Sequence, residues 1–197
     1  MTPGHFAVPV AEAIRRARDQ GLDLPVICNT GGYEKVETLR RWEGLVDVYL
    51  PDFKYMDPEL AAWYSHARDY PERAKAALAE MVRQAGPCVF GEDGYIRRGV
   101  IVRHLVLPGY TRDSKAVVEY LYQTYRDAVW ISLMNQYTPM EWVQAYPELN
   151  RKVTRREYER VVNFALELGV ENGFIQEGET AQESFIPPFG DKPEEGS

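Results

Sequence analysis

The sequence predicts an α/β protein built on a parallel sheet with helices packed against it. Three observations carry that prediction. Apolar runs of strand length alternate with segments that are apolar at helical spacing. The runs lack the in–out alternation of a strand with one wet face, as expected where helices cover both faces of a parallel sheet. Each run closes on Gly, Pro, Asn or Asp, the residues that end strands in turns.

The elements follow in order. Pro9 suits a first helical turn, Val10, Ala13, Ile14 and Ala17 recur at helical spacing, and Gly21 stops the helix. Pro25 to Asn29 is a short apolar strand that turns at Thr30-Gly31-Gly32. Val36, Leu39 and Trp42 mark a second helix, and Leu45 to Leu50 a second strand that runs out into Pro51-Asp52-Phe53-Lys54. Asp57-Pro58 is an N-cap followed by proline at the first helical position. The helical region behind it extends to Gln84 with a break near Pro71, and a loop with Gly86-Pro87, Gly91 and Gly94 follows. Val100 to Leu107 is a third strand, stopped by Pro108-Gly109. Asp113 or Ser114 is expected to cap a helix carrying Val117, Val118, Leu121, Tyr122 and Tyr125. Ala128 to Met134 is a fourth strand, ending at Asn135-Gln136-Tyr137. Thr154-Arg155-Arg156-Glu157 is a capping box for a last helix that ends at Gly169. The expected organisation is therefore one domain over residues 1–169 and an acidic, Gly- and Pro-containing tail over 170–197, with Phe185, Ile186 and Phe189 as its docking residues.

Composition narrows the function classes. The formal net charge of −7 argues against a nucleic-acid partner, whose binding surface is usually basic. No apolar stretch is long enough to span a membrane, and the first residues lack the basic and apolar regions of a leader. Two isolated cysteines, Cys28 and Cys88, make no disulfide framework; reduced thiols and a cytoplasmic location are expected. His5, His66 and His104 have no second ligand at zinc-site spacing, and surface or core roles are expected for His66 and His104. There is no Gly-x-Gly-x-x-Gly, Walker or Gly-x-Ser-x-Gly motif.

In parallel α/β folds, ligands bind beyond the C-terminal ends of the strands. Those ends carry Asn29 and Thr30, Asp52 and Lys54, Arg103, and Asn135 with Tyr137. Asp52 and Lys54 share strand parity with Val46, Val48 and Leu50, which points both inward. Two readings of that pair stand side by side: a polar-ligand site, or a structural ion-pair network with Arg103.

The series of motifs resembles radical S-adenosylmethionine (SAM) proteins of the pyruvate formate-lyase activating enzyme-like group. The matching stretches are Thr2-Pro3-Gly4-His5-Phe6, Asn29-Thr30-Gly31-Gly32-Tyr33, the run from Val46 to Tyr55, Asp69-Tyr70-Pro71, the run from Arg103 to Gly109, Ser132 to Tyr137, and Tyr146 to Arg151, with the Thr154 capping box. They span about residues 2 to 169 in the family's order. The resemblance implies a partial (β/α)6 TIM-like barrel of the radical SAM type. In that family a CxxxCxxC loop after strand one binds a [4Fe–4S] cluster. SAM is cleaved at the cluster, and a 5′-deoxyadenosyl radical abstracts hydrogen from the substrate.

By the same resemblance Asn29, Thr30, Asp52, Lys54, Arg103, Asn135 and Tyr137 line the SAM pocket. Asp52 matches a position that holds a monovalent cation in some members. Tyr137 falls where some activating enzymes carry a SAM-contacting histidine. The chain departs from the pattern at its start: strand one and the cysteine loop have no counterpart, and strand two is reduced to Thr2-Pro3. The expectation is a C-terminal part with N-terminal strands missing. It would not bind the cluster itself, it would be inactive alone, and a separately encoded cysteine-bearing N-terminal half is its expected partner. Two alternatives are a non-catalytic truncated remnant and a small-ligand-binding α/β protein.

Overall fold

The structure, a computed structural model, describes residues 3–175. The chain divides into two compact units, Met1–Arg103 and His104–Ser197.

In the first unit a 3-10 turn, Pro3–Phe6, leads into α1, Ala7–Asp19. Then come β1 (Ile27–Thr30), α2 (Val36–Arg40), β2 (Val48–Pro51), α3 (Pro58–Ser65), α4 (Tyr70–Ala85), β3 (Val89–Phe90) and β4 (Ile96–Leu105), which runs two residues into the second unit. β1 pairs parallel with β2, Ile27 opposite Val48, and β2 pairs parallel with β4, Val48 opposite Gly99. The strand order is thus β1-β2-β4, with β1 at the edge among the described residues and its Ile27 exposed. β3 adds an antiparallel hairpin to β4. The hairpin presses so closely on β4 that a Cβ at Gly99, where φ is +130°, would lie 2.6 Å from the Cys88 Cα. Leu39 and Trp42 from the α2 region, Val48 and Tyr49 from β2, Leu78 and Met81 from α4, and Val100 and Val102 from β4 are almost fully buried. Each such apolar side chain contributes about 1.5–3 kcal/mol by leaving water. The Trp42 indole donates to the Ala7 carbonyl at 3.1 Å, which satisfies its one polar atom and ties α1 to the core.

The second unit holds α5 (Thr111–Tyr125), a 3-10 turn (Arg126–Ala128), β5 (Trp130–Met134), a second 3-10 turn (Glu141–Ala145), α6 (Arg155–Leu168) and β6 (Gly173–Ile175). β5 pairs parallel with β6, and Val106, just past β4, donates to the Met134 carbonyl at 2.9 Å. Val117, Val118 and Leu121 of α5, and Tyr158, Val161 and Ala165 of α6, are buried with Ile131 and Leu133.

The α/β class with parallel strands is as the sequence predicts. Several boundaries differ, each for a local reason. Leu45 and Val46 are buried yet belong to a turn, in which both backbone N–H groups donate to the Trp42 carbonyl, so β2 starts only at Val48. The expected Asp113 or Ser114 cap is displaced. α5 begins at Thr111 directly after the Pro108-Gly109 turn, and Asp113 falls in its first turn, where a negative charge suits the helix dipole. Residues 173–175, expected to be part of the tail, form β6. Phe185, Ile186 and Phe189, like Met1 and Thr2, lie outside the described residues.

Candidate functional site

The strand ends of the first unit are joined by backbone bonds. Asp52 N–H donates to the Thr30 carbonyl at 2.8 Å, and Phe53 N–H donates to the Arg103 carbonyl at 2.8 Å. The turn after β1 passes so close to Asp52 that a Cβ at Gly32 would lie 2.1 Å from the Asp52 carbonyl oxygen. Gly32 also has φ of +77°, so two separate constraints require glycine. Its N–H donates to Thr30 Oγ1 at 3.2 Å.

On this frame Arg103 reaches across to Asp52. Its Nε and Nη2 both donate to Oδ1, at 3.0 and 2.5 Å. The side chains are 28% and 24% exposed, so the pair faces solvent in part. Among the described residues Oδ2 accepts no hydrogen bond.

Tyr70, at the start of α4, lies under both turns and is 3% exposed. Its oxygen accepts the Lys54 N–H at 3.0 Å, and its hydroxyl sits 3.0 Å from the carbonyls of both Gly31 and Asp52. Tyr33 stacks on its ring at 5.7 Å between centroids, and Tyr55 meets it edge-on. Burial pushes the Tyr70 phenol well above its ordinary range, which keeps it a neutral donor. Sequence reasoning assigned Tyr70 no role. Its signal lay in the Asp69-Tyr70-Pro71 stretch of the family resemblance.

The structure brings Asp52 and Arg103 together and places Asn29 and Thr30 beside them on β1, on opposite faces: Asn29 exposed, Thr30 buried. Lys54 does not point inward. β2 ends at Pro51, and the Lys54 N–H bonds Tyr70 instead of the sheet, so the two-residue alternation stops before it and its side chain is exposed. Lys54 instead lines an open groove of about 600 Å³ with Gly4, Gly31, Tyr33, Glu34, Lys35 and others. Asn135 and Tyr137 belong to the second unit, in the loop after β5, where the Tyr137 hydroxyl donates to the Leu149 carbonyl at 2.9 Å.

The second unit has its own polar knot. Glu157 Oε1 accepts from Gly109 N–H at 2.8 Å and Arg151 Nη2 at 2.7 Å. Its Oε2 accepts from Arg151 Nη1 at 2.7 Å, Thr154 N–H at 2.9 Å and Thr154 Oγ1 at 2.8 Å. The Arg151 guanidinium foremost holds this carboxyl well below the usual carboxylate range.

The sulfur ligands that a [4Fe–4S] cluster needs do not fit here. Cys28 is buried in β1, and burial, with the nearby Glu34 charge, pushes its thiol up to about 12, against the thiolate an iron ligand must be. Cys88 lies beside the β3–β4 hairpin and donates to the Val100 carbonyl at 3.3 Å. Among the described residues no three His, Cys, Asp or Glu side chains gather where they would hold a metal ion. His66 is exposed and His104 buried. No helix among the described residues is long and apolar enough to cross a membrane.

No model of a protein family matches the chain. It is 28% identical over 144 residues to an uncharacterized protein of Methanocaldococcus jannaschii, covering 73% of this chain and 38% of that protein. The chain therefore spans well under half the length of that relative. Among solved structures it is similar to a domain of pyruvate-formate lyase-activating enzyme from Bacteroides vulgatus. The TM-score is 0.64 at 14% identity, over 89% of this chain and 94% of that one. The likeness is one of fold: parallel strands with helices, as in an activating-enzyme domain.

Proposed function

We propose that this chain contributes the strand-end part of a SAM pocket in a radical SAM protein, and that a cysteine-bearing polypeptide segment completes that pocket. The observation that carries the reading is the half-used pair Asp52–Arg103 at the ends of adjacent parallel strands. SAM carries an ammonium and a carboxylate. Asp52 Oδ2 is the acceptor left for the ammonium, and the remaining Arg103 nitrogen, Nη1, is the donor left for the carboxylate. A monovalent cation at Asp52 would take the same Oδ2. Asn29 presents an amide at the end of β1, while Thr30 and Gly32 set the turn that keeps Asp52 in place. The two cysteines do not fit the cluster, so the reading gives this chain a binding and orienting role and routes no chemical step through it.

Calorimetric titration of SAM into the chain tests this, both alone and with a cysteine-bearing segment supplied. Asp52→Asn and Arg103→Met each remove a charge-assisted contact worth about 1.5–3 kcal/mol, so SAM should bind roughly tenfold or more weakly to either variant. Unchanged affinity in both variants, or no binding under either condition, would overturn the reading.

A further inference from the structure

We infer that the groove of the first unit is a separate binding site for a small zwitterion, a free amino acid. The groove's volume, about 600 Å³, is in the range of small-molecule sites. Of the residues that the family resemblance assigns to the SAM pocket, its lining includes Lys54 but not Asn29, Asp52 or Arg103.

Three features define what it would hold. Glu34 lines the groove, and its Oε2 is buried and accepts no hydrogen bond among the described residues. A carboxylate oxygen out of water and without a donor is costly, and a ligand ammonium or amide N–H would relieve that cost. Lys35 and Lys54 line the same groove, and among the described residues neither ammonium is in an ion pair. They offer donors and positive charge to a carboxylate, and the Thr38 hydroxyl adds another donor. A simple anion would meet the lysines and be repelled by Glu34; a simple cation would meet the reverse. A ligand carrying both charges satisfies all of them. Tyr33 supplies the apolar wall: its ring is 41% exposed and is held in place by stacking on Tyr70 and by its hydroxyl bond to Asp69.

The experiment is a titration of the isotope-labelled chain followed by NMR. The zwitterions are L-glutamine, L-phenylalanine and L-lysine; glutarate and inorganic phosphate serve as plain anions. At least one zwitterion should shift the backbone amides of Gly31, Glu34 and Thr38 saturably, with the anions at least about tenfold weaker. Glu34→Gln and Lys35→Met, both in the groove's lining, should each weaken the zwitterion about tenfold while signals elsewhere stay put. Arg103→Met should leave that binding intact, which separates this site from the SAM reading. The inference fails if no zwitterion shifts those amides up to about 20 mM, a range that includes weak millimolar sites. It also fails if the anions bind as tightly, or if Arg103→Met rather than Lys35→Met abolishes the effect.

Discussion

Each unit of this chain sets one carboxylate against one arginine beside a glycine turn, and the two arrangements differ in how completely the carboxylate is used. Glu157 receives donors on both oxygens: a guanidinium on two sides, two backbone N–H groups and a hydroxyl. Among the described residues Asp52 receives a guanidinium on one oxygen alone. A carboxylate has about four acceptor positions, so Glu157 is saturated and Asp52 is not. A saturated carboxylate holds a loop to a helix; a half-used one, partly exposed at strand ends, is left with capacity for a ligand. The glycines differ in parallel. Gly109 has φ of +85°, and among the described residues nothing lies nearer than 3.9 Å to where its Cβ would be, whereas Gly32 has both the positive φ and backbone at 2.1 Å.

The largest effect expected from this contrast is at Gly32. Gly32→Ala must adopt a left-handed conformation and also push Asp52 away, and it should cost about 3 kcal/mol or more in urea unfolding. Gly109→Ala carries the conformational term alone, about 1 kcal/mol. Equal losses at the two positions would mean that the strand ends of the first unit are looser than they look.

Glu157→Ala comes next. It removes the reciprocal half of a capping box and the anchor of the Pro108-Gly109 loop, and about 2 kcal/mol is expected in the same assay. Acid titration gives the sign independently. The folded carboxyl sits below its ordinary 4.5, so its stabilisation is complete above that range and is lost as the pH falls through and below it. Wild type should therefore lose stability more steeply than Glu157→Ala below about pH 4.5; parallel curves would count against the saturated clamp.

The capping box and the Asp57-Pro58 start of α3 were legible in the sequence, because both are local: donor, acceptor and proline lie within four residues of one another. The parallel strands were legible because two-sided burial leaves apolar runs. What was lost is short or long-range. β3 has two residues and β6 three, too few for any period, and each follows a short connection opened by a single glycine, Gly86 or Gly169. Lys54 was misplaced because strand parity was carried beyond the last ladder residue. Asp52 with Arg103 was visible as a pair but not as a half-used one, since that depends on which oxygen the guanidinium meets. Tyr70 could not be read as a clamp, because its partners lie 16, 18 and 39 residues away in sequence.

That clamp sets the third effect. Tyr70→Phe keeps the ring stacking and loses the hydroxyl, leaving the Lys54 N–H and two strand-end carbonyls short of a partner. A loss of about 1.5 kcal/mol is expected, with faster amide hydrogen exchange at Lys54. An unchanged exchange rate at Lys54 would show that the ring alone holds the turns.

The smallest effect is the one that decides between the two readings of Asp52. Asp52→Asn keeps the size of the side chain and an oxygen that can still accept from Arg103, and removes only the charge. If the pair were a structural ion pair like Glu157–Arg151, the loss should approach the roughly 2 kcal/mol expected there. The geometry argues otherwise. Exposure does not separate the two pairs, since Arg151 is itself 41% exposed; but among the described residues the guanidinium at Asp52 uses a single oxygen, and the strand ends are already joined by the backbone bonds of Asp52 to Thr30 and Phe53 to Arg103. Partly exposed pairs of this kind contribute about 0–1 kcal/mol. Asp52→Asn should therefore unfold within about 0.5 kcal/mol of wild type while losing ligand affinity. A charge whose removal leaves stability alone and weakens binding belongs to a site; a stability loss near that of Glu157→Ala, with no change in binding, would return Asp52 and Arg103 to the scaffold.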